Sequence, residues 1–469
     1  MLNASGEEIN VRRQEGPPPM SIAFKEALSE VLAFTPETFA ALGAHMEPGW
    51  FVEALAAHAD AEASAEMRRR KLPLDRALWL AIGMGLFRDR SIHEAVEHLE
   101  LAIGRCGARR GVAPSAIPPA RERLGAEPVQ HLFNLTAERW GFRAAEADRW
   151  CGLSLFGVDG SCLRVADTPE NEAAFGRPGS GRGKSGYPQI RLVGLMALRS
   201  HALAGMSVGG LHEGELTLVE PLWAKIPDRS LTVADRGFLS WWPLHQLNAR
   251  GADRHWLIRA KSNLKWNEVK RLGPGDYLVD IVVNPSIRRA HAEMPKTFRA
   301  RVITYQVNGY RPQKLITSLL DAEKYPAKEI AGLYHERWEI ELGYDEIKTH
   351  LLEREESLRS RKPAGVLQEI AGIGIAYNLV RVEMARVAAE LDIEPTRLSF
   401  RHALMLIRNF CLATWATSPG AIPRRLGSLD HDLRLLLLPP RRSERVYFRH
   451  VKIKMSSYAR NRGKSARAA

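Results

Sequence analysis

Three acidic residues and one helical segment carry the chemistry this sequence offers. Asp159 stands in FGVDGS, within or just past an apolar strand, and Asp235 in TVADRGF, at the end of another. An acid leaving a buried strand is costly unless it is paired or binds a cation, although Asp-Gly is also a turn signal. The third acid, Glu341, lies in YHERWEIELGYDEIKTHL, where Tyr334, Arg337, Glu341 and Lys348 occupy offsets 0, 3, 7 and 14. At roughly 100° per residue all four fall within an arc of about 60°. They flank an apolar stripe of Leu333, Ile340, Tyr344, Ile347 and Leu351. Alone, such a face is explained by salt bridging in solvent. Together with two strand-end acids it makes the set needed to hold two divalent metals. Mg2+ prefers hard carboxylate oxygens. Two such ions activate an attacking water or 3′-hydroxyl while stabilising the departing oxygen.

The elements that must position these residues follow from hydrophobic periodicity. The stretches SLFGVDG, QIRLVGLMALR and HALAGMSVGG read as three strands, SLTVAD and HWLIRAK as two more. Helices are expected over Leu216 to Ala224 and Trp241 to Ala249, so the pattern is a mixed α/β sheet. Residues 262–312 are punctuated by Gly and Pro and read as a β-rich insertion containing YLVDIVV and FRARVITYQV. The strand KLITSLLD follows, then one long helix from Ala327 to about Glu353 and a second helix in VLQEIAGIGIAYNLVRVEMARVAAE. Before the sheet, Leu78, Ile82 and Leu86 mark a helix that Asp89 to Ser91 break before a second one. A third helical segment begins after Pro118-Pro119. Short helices with Arg68, Arg69, Arg70 and Lys71 at their entrance suit a helix-turn-helix-like DNA-binding domain. An ordinary helical packing domain explains the same composition. The expected division is a flexible leader over 1–21, a helical DNA-binding domain over 22–150, an α/β catalytic domain over 151–391, and a helical C-terminal region with a basic tail over 392–469.

The net charge of +13 favours a polyanionic partner, nucleic acid or an anionic membrane surface. Between Arg441 and Arg467 ten Lys and Arg face a single acid, Glu444, with Tyr447, Phe448 and Tyr458 interleaved. That is the texture of a nucleic-acid contact. The four cysteines, Cys106, Cys151, Cys162 and Cys411, form no CxxC pair and no zinc spacing, which fits a reducing compartment. The first twenty residues lack an apolar run. The longest apolar stretch, Leu78 to Phe87, is too short to span a bilayer. A soluble, cytoplasmic protein is expected.

Other signals are weaker. RPGSGRGKSGYPQIRL has Pro178 where a phosphate loop needs its first Gly, and a strand follows where a helix should. Arg177, Arg182 and Lys184 on this Gly-rich loop are candidates for DNA-backbone contacts. His212, His245 and His255 are scattered, and no G-x-S-x-G elbow is present.

VDGS, ADRGF and the pattern Tyr-x2-Arg-x3-Glu-x6-Lys resemble the insertion element 4 type of DDE transposases, with Trp338 following the arginine as it often does there. RRRKLPLDRALWLAIGMGLFRDRS and ARERLG resemble that family's N-terminal domain, so the likeness covers roughly 68–360. It implies a ribonuclease H-like sheet with a β insertion before the catalytic helix. The 75 residues between Asp159 and Asp235 and the 105 between Asp235 and Glu341 agree with such an insertion. It further implies that Asp159, Asp235 and Glu341 bind two Mg2+ ions, with Mn2+ as a substitute. Tyr334, Arg337, Trp338 and Lys348 would contact DNA. The implied partners are transposon-end inverted repeats, target DNA and a second copy of the chain, with no membrane. The implied activity is cut-and-paste transposition, with a hairpin intermediate as one route. Where the family stacks a Trp on a flipped base this chain has Lys314, and Tyr310, Trp256 or Trp266 would have to substitute. Two other readings stay open at this point: a non-catalytic DNA-binding relic, and a two-metal nuclease without a joining step.

Overall fold

A computed structural model describes residues 35–57, 72–101, 112–179, 186–306, 311–353 and 357–440. The expectations for the leader, for Arg68 to Lys71, for Arg182, Lys184 and Tyr310, and for the basic tail lie outside these residues.

The N-terminal helices are α1 (Pro48–Ala56), α2 (Leu74–Leu86), α3 (Ile92–His98), α4 (Ile117–Leu124) and α5 (Glu127–Ala147). Ser91 and Glu94 cap α3 reciprocally, each side chain bonding the other's backbone N–H. The single segment expected after Pro118-Pro119 is in fact two helices. The prolines lie in the first turn of α4, where a missing N–H costs nothing, and Gly125, at φ +71°, ends that helix before α5 begins.

The sheet begins with β1 (Arg149–Trp150) and β2 (Leu153–Arg164), then β3 (Gln189–Ala197), β4 (Leu203–Gly210), β5 (Ser230–Ala234) and β6 (Arg254–Arg259). β2, β3 and β4 form an antiparallel meander, while β5 pairs parallel with β2 and β6 parallel with β5. This order, β4-β3-β2-β5-β6, is that of a ribonuclease H-like sheet. The helix expected over Leu216 to Ala224 is two short ones, Glu215–Leu218 and Glu220–Lys225, while α6 spans Trp241–Ala249.

The β insertion supplies β7 (Asn267–Gly273), β8 (Asp276–Val282) and β9 (Thr297–Tyr305). β10 (Gln313–Thr317) pairs antiparallel with both β6 and β9, so the insertion lengthens the same sheet instead of forming a separate body. Arg301, fully buried on β9, forks onto Asp276 at 2.8 and 2.6 Å and donates to the Tyr325 carbonyl at 2.7 Å. The insertion is thereby clamped to the loop that launches the next helix.

Helices α7 (Ala327–His335) and α8 (Trp338–Asp345) follow, then a π-helical turn over Glu346–Leu351. The chain closes with α9 (Pro363–Glu390), α10 (Phe400–Trp415) and α11 (Ile422–Arg434). α9 seals the β4 edge, because the Asn378 amide accepts from Leu203 N–H at 2.8 Å and donates to Leu203 O at 2.9 Å. It also meets α2 through glycines: a Cβ on Gly372 would overlap the Ala81 carbonyl, and one on Gly85 would lie 2.7 Å from Gly372 O. One hydrophobic cluster runs from Phe51 and Trp79 through Ile373 and Tyr377 to Phe400 and Leu433. The N-terminal helices, α9 and the C-terminal helices therefore share a core. Buried Arg88, after α2, pairs with buried Glu369 on α9, and Arg359 donates to the Arg90 and Met84 carbonyls at 2.7 and 2.8 Å. The helices before the sheet are locked to the segment that follows α8 and the π turn.

Candidate active site

Strand register places the two aspartates side by side. The last parallel rung pairs Val158 with Ala234, and the next residue on each strand is acidic, Asp159 and Asp235. The β2–β3 ladder runs on past this point, so Asp159 is not a strand end; it sits within β2 opposite Gly194. Asp235 does end β5, and its carboxylate caps the following 3-10 turn by accepting from Gly237 N–H at 2.6 Å. The same row continues onto β6, where Ala234 pairs with Ile258 and the next residue is Arg259. Sequence reasoning missed Arg259. The signal was available, since the LIRAK strand ends in step with TVAD, but only the register reveals it.

The segment carrying Glu341 is not the single regular helix expected. Bonds from Arg337 N to Tyr334 O (3.2 Å), Glu339 N to Glu336 O (2.9 Å) and Ile340 N to Arg337 O (3.3 Å) tighten it to i→i+3 between α7 and α8. Arg199 holds this break by forking onto Glu336 at 2.9 and 3.0 Å while its remaining nitrogen reaches Asp148 at 2.6 Å. After α8 the bond from Leu352 N to Ile347 O, 2.8 Å, spans five residues and widens the turn. The tight and wide turns rotate the signature residues away from one straight face. Tyr334 is the plainest case. It is 8% exposed and packs with Leu231, Val233 and Ile330, so the expectation of a phenol on the open face is corrected. Burial pushes that phenol up to about 12, which keeps it neutral.

Arg337 and Glu341 stay on one turn of the helix and pair at 2.8 Å. Burial works against the Arg337 charge, yet Tyr334, Glu341 and Asp159 together raise its pKa, so it remains a cation. Its guanidinium also lies 5.4 Å from the ring centre of Trp338, which is half exposed. Lys348, in the π turn, lines a small apolar hollow with Ser161, Gly194 and Tyr344. Buried Tyr344 was counted in the sequence as part of the apolar stripe. It does more, since its hydroxyl donates to the main-chain carbonyl of Asp159 at 2.8 Å. Gly194 makes that possible, because a Cβ there would stand 2.7 Å from the phenol oxygen. One bond thus ties the helix of Glu341 to the strand of Asp159.

Below the π turn lies a buried charge cluster. Glu346 pairs with Arg381, accepts from the Tyr377 hydroxyl at 2.8 Å and meets His201 at 3.4 Å, while His201 reaches Glu339 at 2.8 Å. Burial opposes the Glu346 charge, but Arg381 and His201 outweigh it and hold the carboxyl at about 2.

The electrostatics of Asp159 bear on whether a metal fits here. Burial, above all, pushes its carboxyl up to about 6; Asp235 and Glu341 push the same way, while the Gly160 N–H and Arg337 pull down. A hard-oxygen donor whose charge is disfavoured by burial and by two neighbouring carboxylates is what a divalent cation relieves, so the donor set fits. The arrangement is open as it stands: among the described residues no three His, Cys, Asp or Glu lie close enough to hold a metal ion, and Glu341 is turned to Arg337.

Two further expected residues are engaged within the fold. Arg177 bonds Asp167 at 2.5 Å, Glu172 at 3.0 Å and the Gly186 carbonyl inside its own loop. Trp256 is fully buried beside Asn248, to which its indole donates at 2.8 Å, so it is closed to any flipped base. Trp266 is partly buried, with the Lys314 ammonium 4.9 Å from its ring centre. Cys151, Cys162 and Cys411 are free thiols, and no helix among the described residues is long and apolar enough to cross a membrane.

Comparison with known proteins places this geometry in a family. Residues 150–379 match the family model described as transposase DDE domain, and residues 36–134 match insertion element 4 transposase N-terminal. The chain is 37% identical over 412 residues to the transposase InsG for insertion sequence element IS4 of Escherichia coli K12, covering 88% of this chain and 91% of InsG. It is 36% identical over 212 residues to InsZ of the same organism, covering 45% of this chain and 69% of InsZ. Among solved structures, the piggyBac transposase synaptic complex with hairpin DNA matches at a TM-score of 0.37 and 13% identity, over 90% of this chain and 86% of that one. A likeness that distant adds nothing to the sheet order given above. With one relative matched over 88% of the chain and both family models in the expected order, the chain belongs to the insertion element 4 family of DDE transposases, enzymes that act on DNA and use divalent metal ions.

Proposed function

We propose that Asp159, Asp235 and Glu341 hold two Mg2+ ions, replaceable by Mn2+, and that the chain cuts its element's inverted repeats and joins the freed ends to target DNA. The observation that supports this most directly is the strand register: two aspartates emerge from neighbouring parallel strands one residue beyond their last shared rung. A carboxyl that burial, Asp235 and Glu341 together push up to about 6 adds to it. When bound, the ions supply an activated hydroxyl nucleophile and charge neutralisation at the departing oxygen.

The chain's own residues do the rest. Arg337 offers a planar fork suited to a phosphate, and its bond to Glu341 holds both side chains ready until DNA and metal compete for them. Arg259, next in line after Asp235, adds a second cation to the rim, and Lys348 a third from the π turn. Trp338, half exposed beside Arg337, is the aromatic surface for DNA on this face. Tyr334, buried and neutral, acts as a floor beneath the phosphate and not as a surface contact. A hairpin route would draw its stacking ring from Trp266. Synapsis has to hold two ends, so the working form is a homodimer, close to the chromosome it cuts.

The test is Glu341→Ala on a substrate carrying the element's ends. Cleavage should vanish while end binding persists. Full cleavage by this variant would refute the assignment. Cleaved ends that never join target DNA would indicate a nuclease without strand transfer.

A further inference from the structure

We propose that Glu215 is a fourth carboxylate of the DNA-cleaving site, holding a divalent cation from the opposite face of β2 to Asp159. The proposal rests on the metal reading of Asp159, Asp235 and Glu341 and extends it.

Side chains alternate across a strand. Asp159 therefore faces the Glu341 helix, with Gly194 and Tyr344 at its back, and position 160 faces the other way. That position is glycine, and the space a Cβ would fill there is taken by the Glu215 carboxylate, close enough that any side chain at 160 would overlap it. Gly160 is at the same time the residue whose N–H binds Asp159 Oδ1, at 2.8 Å. Two carboxylates thus straddle one rim of β2, separated by a single glycine that holds one and makes room for the other.

The backbone delivers Glu215 to this point. β4 ends at Gly210, a short turn follows, and Glu215 is the first residue of the helix Glu215–Leu218, with Leu218 buried in the core behind it. The neighbouring acid Glu213 is already used, accepting from Gly210 N–H at 2.6 Å to close that turn. No described residue hydrogen-bonds to, or forms an ion pair with, the Glu215 carboxylate, which is partly exposed. The Tyr344 phenol, whose pKa burial raises most, is raised further by Asp159 and by Glu215, so both charges act on the one hydroxyl that ties Glu341's helix to β2. A glutamate at the start of a helix also favours that helix through its dipole. That role would need neither glycine at position 160 nor proximity to Asp159.

The experiment compares full-length Glu215→Gln and Asp159→Asn with the parent chain, each bound to DNA carrying the element's ends. Mn2+ binding is read by calorimetry, alongside thermal unfolding without metal and the Mg2+ dependence of cleavage. The proposal predicts that Glu215→Gln leaves metal-free unfolding and end binding unchanged. It also predicts Mn2+ affinity weakened by roughly tenfold or more, with half-maximal cleavage moved to correspondingly higher Mg2+. Unchanged Mn2+ affinity in Glu215→Gln, together with its loss in Asp159→Asn, would overturn the fourth carboxylate and leave the three-acid site standing. Unchanged affinity in both variants would refute the metal reading itself. Lowered thermal stability with an unchanged metal profile would reduce Glu215 to a helix-start residue.

Discussion

Replacing Tyr344 with Phe removes one hydroxyl and nothing else, and its effect can be worked out from the geometry. The bond from the phenol to the Asp159 carbonyl is 2.8 Å long and lies under a 7%-exposed side chain. Losing it leaves a buried carbonyl short of a partner, which costs about 1 kcal/mol of stability. If Tyr344 were only a core residue, the effect on catalysis would be at most the roughly fivefold that 1 kcal/mol explains. The same bond is the direct tie between the strand of Asp159 and the helix of Glu341, three residues before Tyr344 on one helix. Without it the helix can slide on β2, and a displacement of about 1 Å costs on the order of 100-fold in rate. Single-turnover cleavage of an end-bearing duplex should therefore fall about 10- to 100-fold in Tyr344→Phe, with end binding intact and the loss lying in the cleavage rate. A loss of fivefold or less, with the stability change as calculated, would show that helix and strand hold their spacing without this hydroxyl.

Glu346 gives a pH test. Its folded value of about 2 lies below the ordinary glutamate value of 4.5, so its charge contributes stability that is complete above about 4.5 and is lost as pH falls toward 2. Unfolding midpoints should show Glu346→Gln less stable than the parent at pH 7 by about 3–5 kcal/mol, the cost of leaving buried Arg381 unpaired; the gap should narrow as the pH is taken from 5 to 3, and a constant gap would contradict the assignment. Gly372→Ala puts a methyl into the Ala81 carbonyl where α2 crosses α9; backbone must move on one side, so denaturant unfolding should register a loss of about 1–3 kcal/mol, and an unchanged midpoint would mean the two helices are not in close contact in solution.

Much of this was readable in the sequence, and the exceptions have physical causes. Alternation and apolar runs locate strands well, so β3, β5 and β6 fall where QIRLVGLMALR, SLTVAD and HWLIRAK imply. The acids were visible because a carboxylate at the end of a buried run needs an explanation. Pairing is not visible in one dimension. That Arg259 follows Asp235 across the sheet, or that Glu215 fills the space beside Gly160, depends on register and on a turn. Helical phase was the other weakness. A straight 3.6-residue count put Tyr334 on the open face, but the tight turn at Arg337, held by Arg199 on Glu336, swings it into the core. Tyr344 was misjudged for a related reason: periodicity marks a phenol as apolar and says nothing of what its hydroxyl reaches.

Whether three carboxylates with bound metal cut DNA at the element's own ends is measured most directly by cleavage of a plasmid carrying this gene with its native flanking DNA, with Mg2+ and with chelator. Breaks at flanking inverted repeats should require Mg2+ and disappear in Asp159→Asn. Binding to those flanks with no break under any divalent metal, or breaks that persist in Asp159→Asn, would contradict the three-carboxylate site.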